Sequence, residues 1–137
     1  MSQNLAQVPS ISTAPAPHSD CTVLVVDDDD ELREALAELL QDEGLEVAMA
    51  SNGLEALDYL RSHEPPHVML LDLMMPKMSG PELRAEMLGD ESLSGIPVIV
   101  LSAAHDGRTQ AAALRAAGYF SKPVRLEKLV DAVRAHC

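Results

Sequence analysis

The sequence predicts an α/β fold: a five-stranded parallel sheet with helices on both faces. Three observations predict it. Short apolar runs recur at Thr22–Val26, Glu46–Ala50, Val68–Leu71, Ile96–Leu101 and Tyr119–Ser121. Between them lie stretches whose apolar residues return every three or four positions. Gly, Pro or acidic residues punctuate the joints. Strands alternating with helices imply a parallel sheet covered on both sides. Right-handed crossovers then bring every strand's C-terminal end to one rim.

Each element has its own signal. Thr22–Val26, TVLVV, is β-branched and apolar and reads as a buried strand. Leu32, Ala35, Leu36, Leu39 and Leu40 mark one face of the first helix, which Gly44 ends. Asp29, Asp30 and Glu31 suit a first helical turn, where they complement the dipole. Asp27 and Asp28 belong to the strand end, where like charges repel unless a cation joins them. After the second strand, Ser51-Asn52-Gly53 leads into a helix carrying Leu54, Leu57 and Leu60, which finishes before Pro65.

The central stretch is His67–Pro76, HVMLLDLMMP. It reads as a strand buried on both faces. A single acid, Asp72, sits at its end, where open α/β sheets place ligands. By itself Asp72 could equally be a turn residue. Met74–Gly80 is a loop, and Pro81 fits the first turn of a helix whose apolar face is Leu83, Met87 and Leu88. Ser102 follows the fourth strand. The Ala-rich run 107–117 is helical by propensity, and Gly118 breaks it. Lys122-Pro123 closes the fifth strand, and Leu126, Leu129, Val130 and Val133 mark the last helix.

The totals bound the function. At 137 residues the length predicts one domain, or one domain with a tail. Residues 1–19 hold no Asp, Glu, Lys or Arg and no periodicity, and read as a flexible leader before a domain at 20–137. Cys21 and Cys137, two thiols without dense spacing, argue against a disulfide framework or zinc site and suit a reducing cytoplasm. No apolar run reaches membrane-spanning length, and no secretory signal is visible. A net charge of −12 weighs against direct nucleic-acid binding and suits a basic protein surface or cations. Aromatic content of 2% leaves few platforms for stacking a flavin or a base.

The rim gathers chemistry from four parts of the chain: Asp27 and Asp28, then Asp72, Ser102 and Lys122. Each has a plain reading as a cap, a turn residue or a solvated lysine. Together they are three carboxylates, a hydroxyl and an ammonium. Crowded carboxylates call for a cation at pH 7. Mg²⁺ prefers one or two carboxylates, several waters and a phosphate. Lys122 supplies the extra positive charge a phosphoryl group wants, and Ser102 a hydrogen bond.

These residues resemble the receiver domain of two-component response regulators. The matching pieces are V-V-D-D with Leu32-Arg33 after it, L-L-D-L-M-M-P-K-M-S-G, P-V-I-V-L-S-A and G-Y-F-S-K-P. Any one is weak; the four in order are specific, and the likeness covers about residues 21–136. The resemblance implies a flavodoxin-like sheet of order 2-1-3-4-5. It implies a phosphorylation-dependent switch, not an enzyme acting on other substrates. Asp72 would be the phospho-acceptor. Asp28, Asp72 and the Met74 backbone carbonyl would bind Mg²⁺, with Asp27 contributing through water. Lys122 and Ser102 would hold phosphoryl oxygens. Tyr119 would be the aromatic switch that alters the face formed by the fourth helix, fifth strand and fifth helix. Lys122–Pro123 would be a cis peptide. The implied partners are a sensor histidine kinase or phosphotransfer protein and a downstream protein target.

The sequence departs from the family pattern between Ser102 and Lys122, which looks about two residues short near 116–118. Met74 and Ala104 stand at two variable positions that tune acyl-phosphate lifetime. With no polar side chain there to orient water, a long-lived phosphorylated state is expected. Other classes fit less well. An aspartyl phosphatase needs a second acid where Met74 stands, an EF-hand beginning at Asp27 would put Leu32 where Gly is needed, and there is no P-loop. The remaining alternative is a receiver that works by protein contact without phosphorylation.

Overall fold

The computed structural model describes residues 21–137, so the leader expected at 1–19 lies outside the described residues. Five parallel strands form one sheet of order β2-β1-β3-β4-β5: β1 Thr22–Val26, β2 Glu46–Ala50, β3 Val68–Asp72, β4 Val98–Ser102 and β5 Gly118–Ser121. The helices are α1 Asp30–Asp42, α2 Gly53–Ser62, α3 Gly80–Leu88, α4 Glu91–Ser94, α5 Gly107–Ala113 and α6 Leu126–Arg134. The expected fold class and strand order are those observed.

The pleat divides the core into two layers. Leu24, Val26, Met69, Leu71, Val98 and Val100 face α2, α3 and α5. Their alternates Val23, Val25, Val68, Leu70, Ile99 and Leu101 face α1 and α6. Every residue of β3 and β4 is buried, as a central parallel strand requires. Side chains set the helix starts. Asp29 Oδ1 accepts from the Leu32 N–H at 3.1 Å, and Asn52 Oδ1 from the Glu55 N–H at 2.9 Å. Ser79 and Glu82 form a capping box on α3, with Pro81 in its first turn.

Several expectations need correction. Leu54 and Leu88 are exposed, at 46% and 37%, because the buried faces of α2 and α3 are Ala56, Leu57 and Leu60, and Leu83, Arg84 and Met87. Ala35 of α1 is exposed as well. β4 begins at Val98, after Pro97, which has no N–H for the ladder; Ile96 is buried in the preceding turn. A short extra helix, α4, starts on Asp90, whose Oδ1 accepts from the Ser92 N–H at 3.0 Å. Helix α5 stops at Ala113 rather than 117. Arg115 turns left-handed at φ 58°, and the Leu114 and Arg115 carbonyls bond a side chain of α3 instead of continuing the helix.

The largest correction concerns the cysteines. Cys21 and Cys137 are joined in a disulfide, with Cα atoms 5.2 Å apart across a sequence separation of 116. The chain enters β1 and leaves α6 at the same end of the sheet, which spacing along the chain does not reveal. The cysteines therefore lend no support to a reducing compartment. Arg134 lies beside this junction in sequence; its Nη2 donates to Glu43 Oε1 at 2.5 Å and to the Glu43 carbonyl at 3.1 Å, tying α6 to the end of α1. No helix among the described residues is long and apolar enough to cross a membrane.

Candidate functional site

Strand register builds the site. Val26 pairs with Leu71, Asp72 with Leu101 and Ser102 with Ser121, so residues 27, 72, 102 and 122 stand at the ends of four adjacent strands. The rim therefore collects the expected residues. Asp27, Asp28 and Asp72 each offer a carboxylate oxygen within 4.8 Å of the others. Lys122 Nζ lies 2.9 Å from Asp27 Oδ2 and 3.6 Å from Asp72 Oδ1. The alternation of each strand places Asp27, Asp72 and Lys122 on the α1/α6 side. Ser102 and Tyr119 fall on the α5 side.

Asp27 is fully buried. Its Oδ1 accepts from the Asp29 N–H at 2.9 Å. Its Oδ2 meets the Lys122 ammonium and has no other hydrogen-bond partner among the described residues. Arg33 holds the same segment: Nη1 donates to the Asp27 carbonyl at 2.7 Å and Nη2 to Asp30 Oδ1 at 2.6 Å. Its role was not assigned from the sequence; an Arg one turn into a helix that follows an acid cluster is the available signal. Asp28 is exposed at the mouth of the site. Asp72 is 5% exposed, and the Met74 N–H reaches its Oδ1 at 3.4 Å.

The loop after Asp72 folds tightly back. The Gly80 N–H donates to the Leu73 carbonyl at 3.0 Å, and a Cβ on Gly80 would lie 2.5 Å from the Asp72 carbonyl oxygen. Glycine is required there by close approach of backbone. Met74 projects from this loop at 71% exposure.

The electrostatics follow from crowding. Burial, and then the charge of Asp27, push the Asp72 carboxyl up to about 6, against the weaker pull of Lys122 and the Met74 N–H. Burial works to lower the Lys122 ammonium and is the largest single influence on it. The pairings with Asp27 and Asp72 together outweigh that, so the net shift is upward. Lys122 contacts two of the three acids, Asp27 and Asp72, and the carboxylate set is all oxygen. Such a set suits a hard divalent ion such as Mg²⁺.

The opposite side holds the expected switch residues. Ser102 is buried, and its Oγ accepts from the Ala104 N–H at 3.0 Å. The Tyr119 ring lies against Gly107: a Cβ there would stand 2.7 Å from the Tyr119 hydroxyl and 3.0 Å from Ser102 Cβ. Arg108 stacks its guanidinium 5.1 Å from the Tyr119 ring centroid. The Lys122–Pro123 peptide is cis, as expected. Beside Lys122 an apolar cleft of about 480 Å³ is lined by Leu32, Ala35, Ala103, Pro123 and Val124.

Comparison with known proteins places this geometry. The response regulator receiver domain model matches residues 23–134. Response regulator RR06 of Streptococcus pneumoniae is 42% identical over 115 residues, covering 82% of this chain and 51% of its own length. Response regulator MprA of Mycobacterium tuberculosis is 37% identical over 115 residues, covering 82% and 49%. The chain thus spans about half the length of these relatives. A solved structure of the response regulator TrrA from Thermotoga maritima, in complex with Mg²⁺ and BeF, superposes with a TM-score of 0.75 at 32% identity, covering 85% of this chain and 99% of that one. The chain belongs to the response regulator receiver domains, the signalling modules of two-component systems.

Proposed function

We propose that this chain is a phosphorylation-dependent switch in which Asp72 accepts a phosphoryl group from a phosphohistidine donor. The observation that carries the reading is the convergence of Asp27, Asp28, Asp72 and Lys122 within bonding range of one shared space. An Asp72 oxygen attacks phosphorus in line; the new O–P bond forms as the P–N bond breaks, and the imidazole leaves with its electron pair. Mg²⁺ would be held by Asp28, Asp72 and the Met74 carbonyl, with Asp27 contributing through water, and would neutralise charge on the transferring oxygens. Lys122, now shared between Asp27 and Asp72, turns toward the phosphoryl oxygens. Ser102 keeps the bond from the Ala104 N–H and donates its hydroxyl proton to a phosphoryl oxygen. Movement of residues 102–107 toward the phosphate shifts the Gly107 backbone against which the Tyr119 ring already lies, so the ring repositions with it and alters the face of α5, β5 and α6.

The cognate donor on this reading is a sensor histidine kinase or phosphotransfer protein, and the target is a downstream protein. The charge of −12 favours a basic protein surface over nucleic acid. The transfer is stoichiometric, onto the chain itself. The test is intact mass after incubation with acetyl phosphate and Mg²⁺. Wild type is expected to gain one phosphoryl mass, to lose it in excess chelator, and to retain it through buffer exchange, since Met74 and Ala104 offer nothing to orient water. Asp72→Asn is expected to gain none. An unmodified wild type would favour the contact-only receiver, and a decay within seconds would remove the argument for a long lifetime.

A further inference from the structure

The buried arginine of α3 has no part in the acid pocket, yet it holds one end of α5, the helix that lies in the chain between the switch residues Ser102 and Tyr119. Arg84 is 4% exposed, at a helix position where an apolar residue would pack. Its Nε donates to the Leu114 carbonyl at 2.9 Å and its Nη2 to the Arg115 carbonyl at 3.3 Å. Its Nη1 is buried without a partner among the described residues. The two carbonyls belong to the turn that ends α5, where Arg115 is left-handed. A cation there also meets the negative end of the helix dipole. Helix α5 has no basic residue in its own last turn and no side-chain bond at its N-cap. Its two ends are therefore unequal: the C-terminal end is fastened to α3, while the N-terminal end, Gly107, rests on Tyr119 and Ser102.

We propose that Arg84 is a positioning residue for the Asp72 switch, a latch that holds α5 in the unphosphorylated arrangement. The inference rests on the phosphorylation reading above. A seven-residue helix is a rigid rod only about 10 Å long. Pulling residues 102–107 toward a phosphoryl group must tilt or shift that rod, and the fork of Arg84 resists by losing its aim at two carbonyls. The latch is incompletely satisfied. Because Nη1 is orphaned, the buried guanidinium is offset less fully than a three-bonded one would be, so the latch is releasable. Without the fork, closing the Ser102 loop costs less, and a phosphoryl mimic binds more tightly.

The test is calorimetric titration of beryllofluoride with Mg²⁺ into wild type, Arg84→Met and Arg84→Lys, with hydrogen exchange followed over residues 104–117. Met fills the buried space without donors. Lys keeps the charge but cannot reproduce the planar fork. Arg84→Met is expected to bind beryllofluoride at least about fivefold more tightly than wild type, with faster exchange over 104–117. Arg84→Lys is expected to lie between the two. Should the Met variant fail to fold, the Lys variant alone must still bind more tightly than wild type. Equal or weaker binding by the folded variants, whatever their melting temperature, reduces Arg84 to a packing residue and overturns the latch. Absence of binding by wild type itself would instead sink the phosphorylation reading.

Discussion

Reducing the Cys21–Cys137 disulfide is expected to lower the unfolding free energy by about 3–5 kcal/mol. The bond joins residues separated by 116 positions, so it restrains almost the whole described chain when unfolded. In the chain-entropy account a loop of about 100 residues is worth roughly 4.7 kcal/mol. For a domain of this size the total is about 5–15 kcal/mol, so the loss is a large fraction of it. Urea unfolding with and without a phosphine reductant measures it. The midpoint should fall on reduction, and Cys21→Ala with Cys137→Ala should show no response to the reductant. A wild-type midpoint indifferent to reductant would mean that the bond is not formed in solution. The acid pocket lies at the other end of the sheet, so phosphorylation at Asp72 should survive reduction in protein that stays folded.

Asp72→Asn is expected to be more stable than wild type by about 1–3 kcal/mol at pH 8 in chelator. The folded chain holds the Asp72 proton up to about pH 6, against an ordinary value of 3.8. Between those values the folded state binds more protons than the unfolded state. The contribution of Asp72 to wild-type stability therefore falls as pH rises from about 4 to about 6, then levels. The neutral amide escapes that penalty, so the gap between variant and wild type should close below about pH 4. Added Mg²⁺ should stabilise wild type more than the variant, because it relieves the same repulsion. Thermal melts across pH, with and without the ion, measure all three effects. A variant less stable than wild type at pH 8 would contradict the crowding on which the site is argued.

Most of the sheet was legible because local chemistry and topology agree. TVLVV, HVMLLD and IPVIVL are strands on composition, and parallel connection alone carries their C-terminal ends to one rim. Asp27, Asp72, Ser102 and Lys122 therefore share that rim on topology alone. What escaped depends on contacts between distant segments. Apolar spacing marks a helix but leaves its phase uncertain by one position. Hence the sequence places Leu54 and Leu88 on apolar faces where Ala56 and Arg84 in fact join Leu57, Leu60, Leu83 and Met87. Nothing in the local sequence marks Arg84, whose partners, the carbonyls of Leu114 and Arg115, lie some 30 positions away. The shortened α5 and that buried arginine are two sides of one arrangement, visible only in three dimensions. The cysteine pairing is the same case at the longest range the described chain allows.

The central claim is that one shared space joins the acids through an ion so that Asp72 can carry phosphorus. A crystal structure with Mg²⁺ and beryllofluoride tests it most directly. The expected result is beryllium on an Asp72 oxygen, the ion about 2.0–2.1 Å from carboxylate oxygens of Asp28 and Asp72, and Lys122 swung from Asp27 to a fluorine. Beryllium on another carboxylate, or an ion bound away from Asp28 and Asp72, would contradict the account.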